Sequence, residues 1–180
     1  MENSMTMVPH TPSVVSSFHI GSRSQVLDWA LNQTHNPSPP APISRANFDL
    51  GFGIAGHSMG GQATLFSSSL QNATAYNIRT AVFHHAYTHV FPAPTVPFIV
   101  FTGEKDTTAP PEPMGIGIFN STDNYSTDNY STDNYSTDNY PTDNNISKFY
   151  VDSATASHHE PDVFDYNDLL PQFTAAWFKL

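Results

Sequence analysis

Residues 56–61 read Gly-His-Ser-Met-Gly-Gly, between the apolar run Leu50 to Ala55 (Leu-Gly-Phe-Gly-Ile-Ala) and a helix-like stretch, Gly60 to Leu70. This feature limits the fold more than any other. A short buried strand has to pass through a tight turn directly into a helix, and Gly56 and Gly60 on either side of the turn leave room for close backbone contacts. Ser58 is thereby presented at the carboxyl end of a sheet and at a helix N-terminus. A serine in that position is a candidate nucleophile, and the amide N–H of Met59 points where an oxyanion would develop. A chance Gly-x-Ser-x-Gly in a glycine-rich loop would lack the strand before it and the helix after it.

The rest of the chain alternates in the same way. Ser22 opens a helix with Gln25 as its capping-box partner, and Val26, Leu27, Ala30 and Leu31 form one apolar stripe. The proline-rich segment His35 to Ile43 is a loop or linker. Ile78 to Phe83 and Val96 to Phe101 are rich in β-branched and aromatic residues and read as strands, with Lys148 to Val151 as a further short one. Pro171 starts a terminal helix in which Phe173, Ala176, Trp177 and Leu180 recur at helical spacing. Continuous apolar strands between helices indicate an α/β fold, a mainly parallel sheet covered by helices.

Composition narrows the function classes. The 180 residues suit a single domain, and a net charge of -10 argues against a general nucleic-acid or anionic-membrane binder. The absence of cysteine excludes disulfides, thiolate metal sites and a cysteine nucleophile. No apolar run is long enough for a transmembrane helix, and the segment from Met1 to Ser13 lacks the basic and apolar regions of a signal peptide. The compartment is not legible. Residues 121–140 are four copies of Ser-Thr-Asp-Asn-Tyr, and 141–145 are a decayed fifth. With only Tyr to offer a core, the segment reads as a disordered, solvated insertion into the single domain.

A serine nucleophile needs a base and an orienting carboxylate. Asp106 follows the Val96 to Phe101 strand in Thr-Gly-Glu-Lys-Asp, with Glu104 as a competitor. His158 follows the Lys148 to Val151 strand in Ala-Ser-His-His-Glu-Pro, with His159 as its competitor. His84, His85 and His89 crowd the end of another strand, and three histidines so close raise the question of zinc. No nearby acid completes a ligand set, so they read as cleft-rim residues. His57 reads as a packing residue behind the nucleophile.

Together, Gly56–Gly61, Phe98–Asp106 and Ala156–Pro161 resemble the α/β-hydrolase superfamily. They are most similar to its dienelactone-hydrolase-like branch of chlorophyllases, cutinase-type polyester hydrolases and related esterases. The resemblance implies Ser58 as nucleophile, Asp106 as acid because it closes the Gly103-x-x-Asp pattern, and His158 as base because it directly follows Ser157. It implies that Tyr87 lines the substrate pocket. Asp106 and His158 are separated by 52 residues, and without the four perfect repeats the separation falls to 32, an ordinary crossover length. The repeat is therefore expected in the connection between the last two strands, away from the catalytic machinery.

The resemblance also implies strands before residue 50, and a Gly-rich loop supplying a second oxyanion N–H, that this chain lacks. Met5 to Val8 is a candidate remnant of one such strand, and the chain reads as N-terminally truncated. The expectation is a serine hydrolase that cleaves carboxylic esters through an acyl-enzyme, with a small-molecule, lipid or polymer ester as substrate and no metal or organic cofactor. The alternative is a catalytically impaired fragment or a binding remnant of such an enzyme.

Overall fold

The computed structural model describes residues 20–38, 44, 47, 50–122, 146–162 and 169–179. Four strands form one sheet: β1 (Phe52–His57), β2 (Ile78–His84), β3 (Phe98–Gly103) and β4 (Lys148–Ser153). Their order in space is their order in the chain, and every pairing is parallel. The helices are α1 (Ile20–Thr34), α2 (Met59–Ser67), α3 (Leu70–Ala75), α4 (Ile116–Asn120) and α5 (Leu169–Trp177). This is the α/β-hydrolase-like arrangement expected from the alternation of apolar strands with helices.

Both faces of the sheet are covered, and its central strands are apolar where they cross it, at Ala81–Phe83 and Phe98–Phe101. Every residue of β3 is buried. Ala81, Phe83, Phe98 and Val100 point to one face, where they pack with Leu27 of α1, Leu65 of α2 and Ile118 of α4. Their neighbours Val82, Ile99 and Phe101 point to the other face and meet Trp177 of α5. A period of two along each strand thus feeds two cores. Phe83 and Phe98 are fully buried and meet edge to face, with ring centroids 5.7 Å apart. Each such side chain contributes roughly 2–3 kcal/mol through burial.

Several boundaries differ from the sequence expectation. α1 spans Ile20–Thr34, so the position of Ser22 lies within the helix and not at the residue preceding it. Val26 is 61 % exposed, which leaves Leu27, with Ala30 and Leu31, as the inward side of that helix. α5 begins at Leu169, two residues before Pro171. Proline is tolerated there because the first-turn N–H groups have no intrahelical acceptor. The helix expected over Gly60 to Leu70 is divided into α2 and α3.

β1 and β4 are the edges of the sheet among the described residues. The strand expected at Met5 to Val8 lies outside those residues, as does most of the repeat, at 123–145. None of the helices among the described residues is long and apolar enough to cross a membrane.

Candidate active site

The parallel sheet sends the carboxyl ends of its strands to one edge, and the loops that follow β1, β2, β3 and β4 meet there. Ser58 is the residue between β1 and α2, with φ 55° and ψ −122°. A non-glycine residue in this region costs of order 1–3 kcal/mol, and surrounding contacts have to hold it. Here the Ser58 N–H donates to the His84 carbonyl at 3.1 Å, and the Ser58 carbonyl accepts from the Tyr87 N–H at 3.0 Å and the Gln62 N–H at 3.2 Å. The turn is clamped to the end of β2 on one side and to the first turn of α2 on the other.

The glycines around it have unequal roles. A Cβ on Gly56 would fall 2.1 Å from the Gly60 carbonyl oxygen, and one on Gly61 would fall 2.4 Å from the Ala86 Cβ. A Cβ on Gly60 would meet nothing within 4 Å. The close backbone approach between Gly56 and Gly60 therefore needs a glycine at 56 and not at 60, and Gly61 makes a second close approach where α2 crosses the loop after β2.

Three loops bring Ser58, His158 and Asp106 into one line. The Ser58 hydroxyl lies 2.8 Å from His158 Nε2. His158 Nδ1 lies 2.8 Å from Asp106 Oδ2. The other carboxylate oxygen, Asp106 Oδ1, accepts the backbone N–H groups of Thr108 at 2.9 Å and Ala109 at 2.7 Å. Burial by itself would raise the Asp106 pKa. The Ala109 N–H and the imidazoles of His158 and His85 more than offset it and hold the carboxyl below its ordinary value. Asp106 is buried, whereas Glu104, the competing acid, is exposed. His158 is buried and His159 is exposed.

The imidazole between these groups has a defined tautomer. Nδ1–H donates to the Asp106 carboxylate, which leaves Nε2 to accept a hydrogen bond from the Ser58 hydroxyl. Met59 supplies the first backbone N–H of α2, next to Ser58 and at the positive end of the helix. The Tyr87 ring is half-buried, and its hydroxyl lies 3.3 Å from His89 Nε2.

The clustered histidines do not share one position. His89 is exposed, as a rim residue would be. His84 lies against Phe101, with ring centroids 5.0 Å apart and planes within 12°, and bonds to Thr174 of α5. His85 is no rim residue: it is 1 % exposed, with Nδ1 3.0 Å from Asp106 Oδ2 and Nε2 3.3 Å from Glu160 Oε2. Sequence reasoning missed both His85 and Glu160. The available signal was Glu160 itself, an acid two residues after His158 in a chain with only 12 % charged residues. His85, Asp106 and His158 bring three atoms of metal-ligand type within 4.8 Å of one another. These atoms face each other as hydrogen-bond partners, which accounts for their convergence.

The parallel sheet with its flanking helices and the turn at Ser58 have the α/β-hydrolase-type arrangement. Residues 16–154 match the family model PETase, described as PET hydrolase-like, and the chain belongs to that family of ester hydrolases. The match includes Ser58 and Asp106 and ends four residues before His158. None of the curated proteins matches the chain.

Proposed function

We propose that this chain is a serine carboxylic-ester hydrolase in which Ser58, His158 and Asp106 are the catalytic triad. The reading rests on one observation, the unbroken line of hydrogen bonds from the Ser58 hydroxyl through His158 to Asp106. Membership of a polyester-hydrolase family favours an ester as the bond that is cut.

In this reading His158 Nε2 takes the Ser58 proton as Oγ attacks the ester carbonyl carbon. The negative oxygen of the tetrahedral intermediate faces the Met59 N–H, in the field of the α2 N-terminus. Asp106 holds the imidazolium that forms at His158. The intermediate collapses when His158 gives the proton to the leaving alcohol, and an acyl group remains on Ser58. Water then repeats the sequence with His158 as base, releasing the acid and restoring the serine. Tyr87, whose backbone already fixes Ser58, presents its ring to the acyl or aromatic part of the substrate.

Hydrolysis of a short p-nitrophenyl ester by the wild-type chain and by Ser58→Ala tests the reading. The wild type should turn over, and the variant should lose about 10³-fold or more. Equal inactivity of the two in folded, soluble protein would overturn the catalytic assignment in favour of a non-catalytic binding remnant.

A further inference from the structure

Beside the line from Ser58 to Asp106 lies a second buried set of titratable groups. His85 is the residue after β2, with φ 44° and its N–H bonded to the Phe101 carbonyl at 2.9 Å. Two strand ends therefore fix the ring's starting point. Its Nδ1 meets Asp106 Oδ2 at 3.0 Å, and its Nε2 meets Glu160 Oε2 at 3.3 Å. Glu160 is 8 % exposed and stands in the short turn that carries His158, where its N–H bonds to the Ser157 carbonyl at 3.1 Å. The other rings facing His85 are His57 and His158, each with its centroid 6.3 Å away.

Proton counting gives this set a direction. A neutral imidazole carries one N–H and can donate to one carboxylate only. Both nitrogens of His85 face carboxylate oxygens, so both contacts are hydrogen bonds only when the Asp106–His85–Glu160 set carries one proton beyond a neutral ring between two carboxylates. Without it, one contact would set a lone pair against a buried anion, which is costly. With it, the His85 Nδ1–H is a second donor to the Asp106 oxygen that accepts from His158. That oxygen is fixed from two sides, and the turn that holds the base is tied to the loop that holds the acid through a third strand end.

We propose that His85 and Glu160 are positioning residues of the hydrolase: Glu160 orients His85, and His85 holds the Asp106 carboxylate and the His158 turn in register. The proposal rests on the triad reading above. Glutamine at position 160 can donate its amide N–H to Nε2 and keep the His85 proton on Nδ1. Leucine has the bulk but no polar atom.

The test compares wild type, Glu160→Leu, Glu160→Gln and His85→Phe in p-nitrophenyl ester hydrolysis, together with Ser58→Ala. Glu160→Leu and His85→Phe should lower kcat about tenfold or more with KM unchanged, and Glu160→Gln should recover most of the rate. Histidine NMR with ¹⁵N labelling supplies a check on the wild-type protein that needs no variant. Nδ1 of His85 should be protonated and coupled to a downfield hydrogen-bonded N–H, alongside that of His158, and in Glu160→Leu the His158 signal should shift. Ser58-dependent hydrolysis that survives both disruptive substitutions at the wild-type rate, or a wild-type His85 Nδ1 without its proton, overturns the positioning role alone. Absence of any Ser58-dependent hydrolysis in the wild type overturns the triad itself.

Discussion

His57 Nε2 lies 2.7 Å from the backbone carbonyl oxygen of His158. The last residue of β1 thus reaches across the site to the turn that holds the base, and the two rings are tilted with centroids 4.8 Å apart. A bond between an element that carries the nucleophile and a turn that carries the base limits their relative movement. Such a bond contributes about 1 kcal/mol.

His57→Phe retains the ring and removes the donor. The variant should fold and bind ester with an unchanged KM, and kcat should fall about five- to tenfold. Steady-state kinetics on the purified variant checks this. An equal kcat would mean that the remaining contacts of the His158 turn hold the base unaided.

Gly61→Ala places a Cβ 2.4 Å from that of Ala86, between α2 and the loop after β2. The helix or the loop has to move, so unfolding stability should fall by about 1–3 kcal/mol. Gly60→Ala meets no atom and should change stability by no more than about 0.5 kcal/mol, with helix propensity in its favour. Urea unfolding of the two variants side by side measures the contrast.

His84 makes stability depend on pH in the mildly acid range. Thr174 Oγ1 gives its own proton to the Leu170 carbonyl, so it accepts from His84 Nε2–H, and Nδ1 is left without a hydrogen-bond partner among the described residues. Burial, then the neighbouring charges of His85 and His57, push the His84 pKa from 6.5 down to about 4. The unfolded chain takes up this proton below pH 6.5 and the folded chain only below about 4. The contribution is therefore complete above pH 6.5 and is lost as pH falls toward 4, to a total of up to about 3 kcal/mol. Asp106, held below its ordinary 3.8, acts in the same sense at lower pH: its contribution is present above that value and is lost as pH falls through the lowered one. His84→Phe keeps the stack on Phe101 and removes the titration. Between about pH 7 and 4.5 the wild type should lose about 2 kcal/mol more than this variant in chemical unfolding.

Lys148 Nζ lies 2.8 Å from the Phe119 carbonyl oxygen and 4.3 Å from the centre of its ring. The start of β4 and the end of α4 are therefore neighbours, although the repeat separates them in sequence. We expect deletion of residues 126–140 to leave the fold and the hydrolytic rate intact, because the connection has little distance to span. A shorter connection costs slightly less to close, by roughly 0.6 kcal/mol for each halving of length. Thermal unfolding and the ester assay on the shortened chain check this. A large loss of stability would mean that the repeat packs on the domain.

The order of elements was legible because it depends on local chemistry. The stretches Ala81 to Phe83 and Phe98 to Phe101 within the predicted strands are apolar on both sides, and a sheet buried on both faces accommodates them. The motif at 56–61 demanded a strand before it and a helix after it, and β1 and α2 are those elements. Element ends were less legible. α1 starts before Ser22 and α5 before Pro171, since first-turn positions accept many residue types.

The sequence by itself determined the parallel α/β layout, the turn at Ser58, and the short set of acids and histidines from which partners could be drawn. Tertiary structure alone decided how those residues meet. Nothing local separates Asp106 from Glu104 or His158 from His159 in burial, and nothing local sends His84 to α5 and His85 to Asp106. Adjacent residues at a strand end point to opposite faces of the sheet, so their surroundings depend on which distant loops fold over each face. Glu160 and His85 are 75 residues apart in the chain and in contact in the molecule. A contact of that kind has no local pattern, because it exists only when parallel strands bring their carboxyl ends to one edge.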